Sequence, residues 1–175
     1  MNRRQIIKQL GIAGGAAVLA PSLFTNCSSE HYQLSFLTED EFKLLDELAD
    51  FTLPVSEKSP GARQAQVANF IDRYISVCYT KDQKLTFQQG IVIFRKQCYD
   101  FYNKGFVNMT AKQKGQALRN PEILSKDFFK ELKQLILFGY FTSQEGVTQA
   151  LEYVAIPGKY DGDINYEKGN PAWAF

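Results

Sequence analysis

The sequence holds few of the residues from which catalytic and metal centres are built. Its 175 residues include one histidine, three cysteines, two methionines and one tryptophan. The histidine, His31, sits in a polar leader and reads as solvated linker, because a metal site needs several converging donors. No Cys-x-x-Cys-His occurs, which excludes covalent c-type haem. No Gly-x-Gly-x-x-Gly follows a strand, which excludes the dinucleotide-binding turn. Ser143 has no histidine base near it in a plausible core, so a Ser–His nucleophile is not expected. The 20 basic residues balance 19 acidic ones and form no run, so nucleic acid is not a partner. The carboxylates Asp46, Glu47 and Asp50 have the spacing of a solvated helix face. Glu145 reads as a first-turn acid that favours a helix dipole.

What is present begins with a leader. Arg3, Arg4 and Lys8 precede any acid, since the first is Glu30. The weakly apolar run "GIAGGAAVLA" follows. With Ile6, Ile7 and Leu10 it suits a signal segment, but it falls short of the roughly 20 apolar residues of a membrane span. "NRRQIIK" resembles a twin-arginine export signal, which is an address read by a receptor and not an anchor. Residues 1–26 are therefore expected to be a cleaved signal segment, with 27–37 a linker. Two readings of its end stay open. "LFTNCSSE" resembles a lipoprotein processing site, in which Cys27 becomes the lipidated first residue. Peptidase cleavage near "APS" or "SLF" would instead leave Cys27 unmodified.

Without residues 1–26 the chain keeps 17 basic and 19 acidic residues, about −2 in all. Roughly 149 residues are enough for one domain with a real core. Fourteen Phe and nine Tyr exceed what a small core needs. A Phe-rich core is the commoner explanation of the excess, and a partner surface is the alternative. Cys78 and Cys98 could pair in an oxidising compartment, or lie as free thiols on the apolar sides of two helices.

The hydrophobic spacing predicts helices joined by loops. Thr38 and Glu41 make a capping box, after which Phe42, Leu45, Leu48 and Ala49 recur at helical steps until Pro54. Val67, Phe70, Ile71, Tyr74, Ile75 and Cys78 mark a second helix. Ile91, Phe94, Cys98, Phe101 and Tyr102 mark one side of a third. Thr110 with Gln113 opens a short helix that Asn120-Pro121 breaks. Ser125 caps a helix carrying Phe128, Phe129, Leu132, Leu135 and Ile136. A further short helix is expected around "SQEGVTQALEYV". No strand-like alternation persists, and nothing after Pro157 has a period. The expected fold is all-α: a small helical domain over 38–175, with 157–175 as an irregular, extended C-terminal tail.

Two stretches carry more pattern than helix packing requires: "FTLPVSEKSPGARQAQVANFID" and "LFGYFTSQEGVTQALEYVAIPGKYDGD". They contain "L-A-D-x-x-x-P" at Leu48 to Pro54, "P-G-A" at Pro60 to Ala62 and "GYFTS-x-x-G" at Gly139 to Gly146. "L-x-Y-x-x-x-P-G-x-Y" from Leu151 to Tyr160 and the late Trp173 follow. With the twin-arginine leader, these resemble the small subunit (subunit 3, or gamma) of membrane-associated gluconate 2-dehydrogenase.

The resemblance implies a non-catalytic partner, with no cofactor in this chain. The large subunit in such complexes is a flavoprotein of the glucose-methanol-choline type that holds FAD and oxidises a sugar or sugar acid. A cytochrome c subunit, where present, carries haem. The small subunit lends its export signal, Arg3 and Arg4, to a flavoprotein that must fold around FAD before crossing to the periplasm through the twin-arginine translocase. Membrane association then comes through lipid on Cys27 or through a partner. Tyr140, Phe141, Tyr153, Tyr160 and Trp173 are the expected partner-binding anchors. The alternative is a free-standing envelope lipoprotein that binds a ligand or another envelope protein.

Overall fold

The computed structural model describes residues 32–57, 59–156, 158 and 168–174. The chain divides between Gln33 and Leu34, and the fold is that of the second unit. The expected signal segment 1–26, with Arg3 and Arg4, lies outside the described residues, as do Cys27, His31 and Tyr160.

Helix α1, Glu39–Thr52, starts as its capping box dictates. The Thr38 side chain accepts from the Glu41 amide, and the Glu41 carboxylate accepts from the Thr38 amide at 2.9 Å. Acids at 39, 40 and 41 favour the positive end of the helix dipole. Helix α2, Val67–Cys78, has no side-chain cap; it follows Gln66, which is left-handed at φ 50°. The bend before it is held by backbone, with the Ala62 amide donating to the Leu53 carbonyl at 2.9 Å. A Cβ on Gly61 would stand 3.0 Å from the Val55 nitrogen, so the two passes of chain meet there at backbone distance. Helix α3, Lys81–Tyr102, opens on a second capping box, Thr80 with Gln83, and stops at Asn103 in the left-handed region. Asn tolerates that conformation better than most residues do.

After a 3-10 turn, Phe106–Asn108, helix α4 spans Ala111–Arg119 behind the Thr110–Gln113 box. Helix α5 spans Lys126–Phe141, with the Ser125 hydroxyl accepting from the Phe128 amide. The expected short last helix is present over 144–150, its main part a π-helical turn, Gly146–Ala150, and the chain is extended from Leu151. Strand β1, Glu152–Tyr153, follows and pairs in parallel with β2, Trp173–Ala174, in the register Glu152 to Trp173 and Tyr153 to Ala174. The tail therefore returns to the domain. Two residues per strand are too few to show a period, which is why alternation did not betray them.

The fold is all-α in its core, as expected. Helix α2 packs on α1 and on α5. Leu45, Leu48, Ile71, Ile75, Phe87, Ile91, Phe94 and Ile136 are fully enclosed. Rings run in contact through this core: Phe70 to Tyr74 (5.4 Å), Tyr74 to Tyr79 (6.1 Å), Tyr79 to Phe87 (6.4 Å) and Phe87 to Phe128 (5.5 Å). Much of the aromatic excess is thus spent joining α2, α3 and α5. Phe101, expected on the buried side of α3, is half exposed instead. Phe106 stands beside Phe94 at 5.5 Å, so the 3-10 turn fills that space. Cys78 and Cys98 are both free; Cys98 is buried, whereas Cys78 is exposed rather than on an apolar face. Burial pushes the Cys98 thiol up to about 11.

Asp72, in α2, is wholly enclosed. Its carboxylate accepts from three successive amides, Ser35 at 2.7 Å, Phe36 at 2.9 Å and Leu37 at 2.7 Å. The residues just ahead of the Thr38 cap are therefore tied into the domain, and Leu37 is part of the core.

Candidate functional site

The two stretches singled out in the sequence meet in space. The Tyr140 hydroxyl donates to the Pro60 carbonyl at 2.6 Å, joining residues 80 positions apart. It also shares a short hydrogen bond with the Ser59 hydroxyl. Ser59 is held in turn by a bridge to Ser56. The bend that precedes α2 is thus locked to the end of α5.

The "GYFTS-x-x-G" wording has a local cause as well. Ser143 donates through its hydroxyl to the Tyr140 carbonyl at 2.7 Å and accepts from the Gly146 amide at 2.9 Å. A Cβ on Gly146 would overlap the Tyr140 carbonyl oxygen, so only glycine fits. A Cβ on Gly139 would come within 2.6 Å of the Phe70 ring. The Ser143 hydroxyl is thus engaged with backbone on both sides, which suits a turn residue.

The expected anchors separate. Tyr140 is 3 % exposed, and its ring belongs to the core; it holds the joint and is not offered to solvent. Phe141 is exposed and packs edge-on against Tyr140 at 5.2 Å. Tyr153 and Trp173 are each about half exposed, one on either strand of the β1–β2 pair. That pair is held by the Glu152 amide on the Ala172 carbonyl (2.9 Å) and the Val154 amide on the Ala174 carbonyl (3.3 Å). The structure therefore brings the strand-borne aromatics Tyr153 and Trp173 onto one small two-stranded unit.

A charge network at the bend went unread in the sequence. Arg63, directly after Pro-Gly-Ala, reaches three carboxylates of α1: Asp46 at 2.8 Å, Glu47 at 3.0 Å and Asp50 at 3.1 Å. Lys114 of α4 bonds Glu47 at 2.5 Å and lies over the Phe106 ring, 5.7 Å from its centre. The acids that looked like a solvated face are a clamp on the start of α2. The Lys114 hydrogen bond holds the Glu47 carboxyl below the usual range, against the opposing effect of desolvation. The hydrogen bond with Asp46 raises the Arg63 guanidinium. The spacing 46, 47, 50 was the available signal, but the cation that answers it lies across a loop.

Among the described residues no group of three or more His, Cys, Asp or Glu is placed to hold a metal ion, and no helix is long and apolar enough to cross a membrane. The arrangement is that of a braced helical unit carrying an aromatic edge. Residues 39–158, from the start of α1 through the π-helical turn and β1, match the family described as Gluconate 2-dehydrogenase subunit 3. No curated protein and no solved structure matches the chain.

Proposed function

Because the chain belongs to the gluconate 2-dehydrogenase subunit 3 family, we propose that it is the non-catalytic small subunit and escort of an FAD-dependent dehydrogenase. The partner is a glucose-methanol-choline type flavoprotein acting on a sugar or sugar acid. A cytochrome c subunit bearing haem takes the electrons onward. The family match, spanning more than half of the chain, is the observation that carries this reading. The leader with Arg3 and Arg4 supports the export half of it. A flavoprotein that must close around FAD in the cytoplasm travels folded, and a bound small subunit supplies the address for both. The destination is the periplasm, with lipid on Cys27 or the partner itself giving membrane association.

The aromatic edge supports the binding half. Tyr153 and Trp173 are large, amphipathic and exposed, residue types that dominate interface energetics, and Phe141 at the end of α5 is an exposed apolar ring. Changing both Arg3→Lys and Arg4→Lys should leave this chain and the flavoprotein in the cytoplasm. A flavoprotein that still reaches the periplasm overturns the escort role. Deleting residues 160–175, which removes β2, should abolish co-purification; an unchanged yield of complex removes the tail from the interface.

A further inference from the structure

Helix α5 ends where the proposed binding residues begin. Phe141 is its last residue, and the chain then passes through the π-helical turn Gly146–Ala150 to β1 at Glu152. The last turn of a helix ordinarily frays. This one is held at two successive residues. Gly139 lets the Phe70 ring of α2 come closer than any Cβ would allow. Tyr140 donates to the Pro60 carbonyl at 2.6 Å and is bonded to the Ser59 hydroxyl. Its single phenolic proton serves Pro60, so the Ser59 hydroxyl donates the second bond.

The backbone of Tyr140 carries that hold onward. Its carbonyl accepts from the Ser143 hydroxyl at 2.7 Å and from the Ser143 amide at 3.1 Å. The Ser143 carbonyl accepts from the Val147 amide at 3.0 Å, and the Ser143 hydroxyl accepts from the Gly146 amide at 2.9 Å. The π-helical turn is thus seated on backbone that the Tyr140 side chain fixes, and only Leu151 separates the turn from β1. π-Helical turns are rare and occur mostly at functional sites. The Tyr140 ring also supports Phe141 edge-on.

We infer that Tyr140 is a positioning residue for partner binding: its hydroxyl, through Ser59 and Pro60, sets the place of Phe141 and of the β1–β2 edge before the partner arrives. Tyr140 itself is enclosed and does not touch the partner. The inference rests on the accessory-subunit reading and adds to it what prepares the binding edge. An edge already in its bound geometry loses less conformational freedom on association, so a bond that holds it raises affinity from a distance.

The test uses the full chain and the co-expressed flavin-bearing large subunit. Trp173 is the one tryptophan of the chain and stands on β2, so acrylamide quenching of its fluorescence in the free chain reports on the edge itself. Tyr140→Phe keeps the ring and removes both bonds. It should raise the quenching of Trp173 and weaken binding about fivefold, the effect available from the net worth of one ordinary hydrogen bond. Ser59→Ala leaves the Pro60 bond in place and should fall between that variant and the wild type. Ile91→Val deletes a core methyl group in α3 and lowers the thermal midpoint, yet should leave quenching and affinity as they are in the wild type. Wild-type quenching and affinity in Tyr140→Phe overturn the positioning role and leave the escort reading standing. An Ile91→Val variant that shifts both readouts as Tyr140→Phe does also overturns it, since general loosening would then suffice. A wild-type chain that does not bind the large subunit overturns the accessory-subunit reading, and the positioning role with it.

Discussion

Replacing Asp72 with alanine removes the acceptor for three amides at once. The Leu37 amide is the most deeply enclosed of the three, in a residue that belongs to the core. Phe36 is half-buried, and Ser35 lies at the surface, where water can replace the lost partner. A buried donor left without an acceptor costs about 1–3 kcal/mol. Counting the two sheltered donors gives about 4 kcal/mol, a large share of the roughly 5–15 kcal/mol that holds an ordinary domain together. With a urea slope near 2 kcal/mol per molar, the midpoint should fall by about 2 M. Asp72→Asn keeps one oxygen, which can serve Phe36 and Leu37 while its amide group faces exposed Ser35. It should cost about half as much. Hydrogen exchange adds a local readout: the amides of residues 35–37 should lose protection in the alanine variant before the helices do. A midpoint shift below about 0.5 M with an unchanged slope would refute the claim that this carboxylate fastens the chain ahead of α1.

Three further outcomes are expected. Gly90→Ala would drive a methyl group into the Phe128 ring, and overpacking of that kind costs about 1–3 kcal/mol, visible as a lowered thermal midpoint. In the native protein an alkylating reagent should label Cys78 quickly and Cys98 only on unfolding, because Cys98 is enclosed and its thiol is pushed up to about 11; peptide mass spectrometry separates the two. The Glu47 carboxyl is held below its ordinary 4.5 by Lys114, so its contribution is fully present above that value and is lost as pH falls through the folded one. The stability difference between wild type and Glu47→Gln should therefore be greatest near neutrality and shrink steadily below about pH 4.5.

The features that could be read in advance are those whose causes lie within a few residues. Thr38 with Glu41 and Thr110 with Gln113 are bonded pairs three residues apart, and both boxes formed. The apolar steps along α2 and α5 likewise report a face that the same helix buries. Thr80 with Gln83 is the same pattern and was passed over, because the apolar reading of α3 began further along the chain. The joint was legible only as unexplained wording. Tyr140 reaches Pro60 across 80 positions, and nothing in "GYFTS" states which carbonyl its hydroxyl will find. Asp72 was hidden for a similar reason: a carboxylate inside an amphipathic helix ordinarily faces water, and its acceptors' partners lie 35 to 37 positions earlier. Trp173 was singled out as an anchor, but its pairing with Glu152 was not, since parallel strands are joined by a long crossover with no local turn to announce them.

The parallel pairing of β1 and β2 has a practical side for anyone isolating this subunit. Ala174 lies beside Tyr153 and Trp173 beside Glu152, so a purification handle that replaces residues 173 and 174 removes the pair itself. Such a handle would disturb the proposed binding edge and mimic a binding defect. A handle inserted at the exposed Ser56–Glu57 turn would strain the Ser59 contact instead. The polar helix α4, on its exposed side at Lys112 and Gln116, is where a label can be borne at least cost.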